Sequence, residues 1–166
     1  ISQGAEEGCG VVCFPELSLT GYTCGDLFRD RTLLAGAEQA LAALLKDTAD
    51  LDLVCVVGVP VPWQGALYNC GAVFHRGRLL GLPAKVCIPN YSELYEARHF
   101  TPAPAAQEIT YAGQRTWLGR GLLFPCENVP DLCLGVEICE DLWSPVPPST
   151  DLARNGATVL LNPSCS

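Results

Sequence analysis

The chain predicts an α/β layered fold with a mainly buried sheet. Strand-like runs are interrupted by two helical segments, the pattern of layered α/β architecture. LVCVVGV at residues 53–59 is apolar without a break, as in a strand covered on both faces. Hydrophobic residues make up 49% of the 166, and no low-complexity tract occurs, so a packed core is expected.

Taken in order, ISQGAEEG reads as the last turns of a helix stopped by Gly8. GVVCF at 10–14 is a short β-rich run ending at Pro15-Glu16, and the turn-rich LSLTGYTCGD follows. Residues 30–50 are helical: Leu34, Ala37, Leu41, Leu44 and Leu45 share one face, with Asp30 as N-cap. After the strand at 53–59, ALYNCGAVFHRGRLLGLPAK reads as two strands joined at HRGR, with Gly77 in the turn and Lys85 at the close. Residues 88–112 read as Pro-rich loop. LLF at 122–124 and DLCLGVEI at 131–138 are further strands. PPSTDLARNG fits a short helix with proline at its start and Gly156 past its end. ATVLL at 157–161 is the last strand.

The net charge of −8 argues against a phosphate-backbone partner, which needs a basic face. No apolar run is long enough to span a bilayer, so no membrane is expected. Ten cysteines occur, without a CxxC pair, and the two histidines, His75 and His99, lack ligand spacing. No metal is therefore expected, and the thiols read as reduced residues of a cytoplasmic chain. The lack of any methionine and the cut-off ends suggest an internal fragment of a longer protein.

The chemistry is concentrated at three places. Glu16, Lys85 and Cys139 each lie at or just beyond the end of a strand-like run. If those strands run parallel within one sheet, their ends share an edge, where open α/β sheets place their sites. An acid, an ammonium and a thiol are the parts needed for acyl transfer at an amide or nitrile carbon. Cys139 lies between Glu137 and Glu140, with Asp141 following; Lys85 would offset these acids, which otherwise disfavour a thiolate. Singly, each has a plainer reading: a solvated carboxylate, a surface lysine, a core thiol. Tyr22 and Tyr91 alone would be rim aromatics.

FPELSLTGY around Glu16, PAKVCIPNYSELYEARHF around Lys85 and GVEICEDLW around Cys139 resemble, in this chain order, the nitrilase or carbon–nitrogen hydrolase superfamily. That resemblance implies a four-layer αββα sandwich, here incomplete, with Glu16 as general base, Lys85 as oxyanion stabiliser and Cys139 as nucleophile. TGYTCGDLF, IPNYSELYEARHF, and EICEDLW followed by PVPPS and LNPSCS are similar to one branch of it, the glutamine amidotransferase domains of bacterial glutamine-dependent NAD synthetases. The branch implies L-glutamine as substrate, contacted by Tyr22, Tyr91, Glu140 and Ser166, with Glu140 facing the α-amino group. Two departures stand out. Leu94 replaces a frequent phenylalanine, and LNPSCS differs from the usual small-residue run before the last serine.

The resemblance further implies that residues 1–166 are part of a glutaminase domain. The first strand, the remaining C-terminal part and an ATP-dependent synthetase domain would lie outside them. That domain would receive ammonia and use ATP and Mg²⁺ with deamido-NAD; this fragment itself would hold no cofactor, since LGRGLL lacks the lysine and spacing of a phosphate loop. A homo-oligomer is implied too. The alternative reading is a stand-alone carbon–nitrogen hydrolase: an amidase, nitrilase or carbamoylase.

Overall fold

The computed structural model describes residues 1–165. It opens with α1 (Ser2–Glu6), β1 (Val11–Cys13), a turn carrying Glu16, a 3₁₀ segment at Gly25–Arg29 and α2 (Arg31–Asp47). Asp30 caps α2 as expected, its Oδ1 accepting the Thr32 N–H at 2.7 Å. Next come β2 (Val54–Trp63), β3 (Ala66–His75), β4 (Arg78–Pro83) and a small hairpin of β5 (Asn90–Tyr91) and β6 (Leu94–Tyr95). A 3₁₀ turn at Glu96–Arg98 leads to β7 (Gln107–Tyr111), β8 (Gln114–Gly119), β9 (Leu123–Pro125) and β10 (Cys133–Val136). The chain then forms a 3₁₀ turn at Cys139–Trp143, α3 (Pro148–Arg154) and β11 (Val159–Leu161).

Six strands form one sheet in the order β1-β2-β3-β4-β8-β7, and three form another in the order β11-β10-β9. The strict alternation of side chains along β2 sets the layers. Cys55, Val57, Val59 and Val61 point to one face, where Ala37, Leu41 and Leu45 of α2 complete the main core. Val56, with Val73 of β3, points to the other face and meets Val136 and Ile138 at the end of β10. Behind β10 sits α3, whose Leu152 lies against Gly135. The order helix, sheet, sheet, helix is the expected four-layer sandwich.

Three corrections to the sequence reading follow. The loop read through residues 88–112 contains β5 and β6, and its end is β7, paired antiparallel with β8. Ile109, Tyr111, Thr116 and Leu118 are buried while Glu108, Thr110, Arg115 and Trp117 face outward, the period-2 signature of a half-covered hairpin. Secondly, β2 runs on to Trp63 through Pro60 and Pro62. Its pairing with β1 stops at Val56, so both prolines fall where no third strand needs their N–H. Thirdly, the three catalytic candidates do not share one sheet. β1 and β4 run the same way within the six-stranded sheet, but Cys139 follows β10 in the other.

Candidate active site

The turn that carries Glu16 is pressed against β2. Leu17, fully buried, takes φ +51°, a strained value for a leucine, and Ser18 Oγ accepts the Gly58 N–H at 3.0 Å. Only glycine fits at 58: a Cβ there would fall on the Leu17 nitrogen and within 2.7 Å of the Glu16 carbonyl carbon and the Pro15 oxygen. This close approach turns Glu16 inward, where it is 2% exposed.

Lys85 lies just past β4, held at both ends of its peptide: its N–H donates to Asn69 O at 2.8 Å and its carbonyl accepts from Ala103 N–H at 2.9 Å. It is 0% exposed, so neither it nor Glu16 is the surface residue each alone suggested. Lys85 Nζ donates at 2.7 Å to Glu16 Oε1 and at 2.7 Å to Glu96 Oε1. Asn69 Nδ2 also donates to Glu16 Oε1, at 2.7 Å. Burial works to lower the Lys85 pKa, but the two glutamates overcome it and leave it raised. The Glu96 carboxyl is pushed up by burial, with Lys85 opposing the shift. One carboxylate balances the buried ammonium; a second ionised one would leave excess negative charge, which fits that direction.

Cys139 comes from the second sheet through a tight elbow. Its φ is +46°, a conformation that costs a non-glycine residue roughly 1–3 kcal/mol. Buried Asp141 over-determines it. Asp141 Oδ2 accepts the Ile138 N–H at 2.9 Å, while Oδ1 accepts the N–H groups of Val86 and Cys87 at 3.0 and 2.7 Å. The residues just after Lys85 are thereby tied to the residue just before Cys139. The Cys139 N–H donates to Pro163 O at 3.1 Å, and Ser164 Oγ lies 3.3 Å from Cys139 Sγ as a donor. Glu137 turns away to accept the Ser149 N–H at 2.9 Å near the start of α3.

A carboxylate oxygen of Glu16 and the sulfurs of Cys139 and Cys165 all lie within 4.8 Å of one another. The structure thus brings Glu16, Lys85 and Cys139 together from two sheets. These three groups could also hold a soft metal ion, although the Lys85 ammonium on Glu16 opposes a cation. Tyr91 and Glu140 meet at the exposed rim, the phenol donating to both carboxylate oxygens at 2.8 and 2.9 Å. The Tyr22 hydroxyl donates to Glu96 Oε1 at 2.8 Å, within the Lys85 network. Ser166 lies outside the described residues. His99 stands apart from the triad, its ring 5.8 Å from that of Phe28.

Four residues here were not singled out from sequence: Glu96, Asn69, Asp141 and Cys165. Glu96 sat inside the motif SELYEARHF, and Asp141 inside EICEDLW, so their place in a motif was visible while their burial was not. Asn69 lies in a strand that reads as plain core.

A family model described as carbon-nitrogen hydrolase matches residues 1–166. Fold and site together thus define the class: the chain belongs to the carbon–nitrogen hydrolase family. Within it, the chain is 41% identical over 158 residues to the glutamine-dependent NAD(+) synthetase of Mycobacterium tuberculosis H37Rv, covering 95% of this chain and 23% of that protein. It is 32% identical over 163 residues to the human glutamine-dependent NAD(+) synthetase, covering 92% of this chain and 22% of that one. The chain therefore spans under a quarter of the length of these relatives. A crystal structure of the glutamine-dependent NAD(+) synthetase from Cytophaga hutchinsonii superposes with a TM-score of 0.80 at 32% identity, covering 99% of this chain and 26% of that one. An amidase from Nesterenkonia sp. shares the fold at 18% identity, with a TM-score of 0.68 over 98% of this chain and 54% of that one.

Proposed function

We propose that this chain hydrolyses the side-chain amide of glutamine and passes the ammonia to a synthetase domain beyond it, for ATP-dependent amidation of deamido-NAD. The observation that carries the chemistry is the Glu16–Lys85 ion pair, buried beside Cys139 at the meeting of the two sheets. The similarity to NAD synthetases over 95% of the chain supports the substrate and the destination of the ammonia.

In this mechanism Cys139 Sγ attacks the amide carbon while Glu16 accepts the thiol proton. Lys85, together with a backbone N–H near residue 140, stabilises the tetrahedral oxyanion. Glu16 then protonates the departing ammonia, leaving a glutamyl thioester on Cys139, and activates the water that releases glutamate. Glu96 keeps Lys85 charged and aimed. The Tyr91–Glu140 pair offers a carboxylate at the rim for the α-amino group of glutamine, with Ser166 as a further contact. Tyr22 is a further glutamine contact in this reading, and its hydroxyl also supports Glu96 beside Lys85. ATP, Mg²⁺ and deamido-NAD would engage the synthetase domain.

The test uses the natural full-length protein with Cys139→Ala. Glutamine-driven NAD formation should vanish while ammonia-driven formation persists. Persistence of the glutamine-driven reaction would overturn the nucleophile assignment; loss of both in a folded variant would count against the division of labour.

A further inference from the structure

A second thiol stands at the nucleophile. Cys165 Sγ donates to Glu16 Oε2 at 3.2 Å, on the carboxylate oxygen that Lys85 leaves open. It lies within 4.8 Å of Cys139 Sγ, and its residue is exposed. None of the glutaminase steps uses it. Cys139 meanwhile sits beside the Lys85–Glu16 ion pair, with the Ser164 hydroxyl 3.3 Å from its sulfur.

We propose that Cys165 is a resolving thiol, so that a hydroperoxide closes a reversible Cys139–Cys165 disulfide and switches the site off. The proposal rests on the reading of Cys139 as nucleophile. In the first step Cys139 Sγ attacks a peroxide oxygen as Glu16 accepts its thiol proton; an S–O bond forms, the O–O bond breaks, and the released hydroxide takes that proton from Glu16 to leave as water. In the second, Cys165 Sγ attacks the sulfenic sulfur, and its proton passes to Glu16 Oε2 and on to the departing hydroxyl, which leaves as a second water. Two thiols lose two electrons and one peroxide gains them.

Glu16 is placed for this because the same oxygen already accepts the Cys165 S–H. Partial burial of its sulfur, with Glu16 beside it, holds the Cys165 pKa up at about 12, so Cys165 waits as a protonated thiol. Closing the bond needs the sulfurs to approach to about 2 Å, by a side-chain rotation of Cys165, which lies in irregular chain after β11. Without a resolving thiol, a sulfenic acid proceeds to sulfinic acid, which dithiols do not reduce.

The experiment treats the natural full-length protein with hydrogen peroxide in the presence of a chelator, then blocks remaining thiols and maps peptides by mass. Wild type should yield a Cys139–Cys165 linked peptide, lighter by the two thiol hydrogens, and lose glutaminase activity that dithiothreitol restores. Cys165→Ala and Cys165→Ser, each compared with its own untreated activity, should lose activity irreversibly as Cys139 gains sulfinic oxygen. Absence of the linked peptide in wild type, or equal recovery in both Cys165 variants, overturns the proposal. Should untreated protein fail to hydrolyse glutamine, the functional reading falls, while the linked peptide still decides the disulfide.

Discussion

Glu96 Oε1 accepts a 2.7 Å hydrogen bond from Lys85 Nζ, the same distance at which Lys85 meets Glu16. The ammonium is therefore held between two buried carboxyls, one on the turn after β1 and one on the 3₁₀ turn after β6. Lys85 can neither leave the site nor easily lose its proton.

Glu96→Gln keeps an acceptor for Lys85 but replaces a titratable carboxyl with an amide. We expect glutamine hydrolysis to fall mainly in kcat, with KM little changed, because Glu96 acts through Lys85 and not on substrate. Glu96→Ala should also lose about 1–3 kcal/mol of stability by stripping a buried partner. Steady-state kinetics with a urea titration checks both; an unchanged kcat for Glu96→Gln would rule out the positioning role.

Gly58→Ala should disable the site from outside it. The added methyl collides with Leu17 and the backbone of Glu16, so the turn must shift. An overpacked contact of this kind costs about 1–3 kcal/mol. The fall in kcat should exceed what the lower stability explains, measured well below the melting transition.

Asp141 gives a pH dependence with a definite sign. Burial raises its carboxyl above the ordinary value of about 4, with the Ile138, Cys87 and Val86 N–H groups opposing. An acid whose folded pKa is raised contributes stability that is complete below the unfolded pKa and lost as pH rises through the folded one. Wild type should therefore lose stability relative to Asp141→Asn as pH climbs from about 4 through that raised value. Denaturant midpoints across this range read the difference; a gap that widens in favour of wild type would refute it.

Tyr91→Phe removes the phenol that donates to both oxygens of Glu140. Both residues stand at the rim, so the fold should be unaffected. If Glu140 receives the α-amino group of glutamine, KM should rise severalfold while kcat holds. A loss confined to kcat would instead place Tyr91 in the chemistry.

Much of this was legible in sequence because it is local. Gly8, Asp30, Gly77 and Pro148 mark helix and hairpin ends through short-range conformational preferences, and the structure keeps all four. The β7–β8 hairpin was missed: its alternation and Ala112-Gly113 turn lie in the sequence, but the prolines before it masked the period. Glu16, Lys85 and Cys139 stood out by chemistry, strand ends and motif order. Glu96 and Asp141 did not, since an acid in a motif looks alike whether it faces water or a buried ammonium.

The sequence by itself determined α2, α3 and the central strands, the order of the chemical groups and the family to which they belong. Tertiary structure alone decided that Cys139 reaches Glu16 and Lys85 from a different sheet, that Tyr22 bonds Glu96, and that Cys165 lies against Glu16. The reason is physical. Dihedral preferences and hydrophobic period act over a few residues, whereas these contacts join positions brought near only when two sheet faces pack through Val56, Val73, Val136 and Ile138.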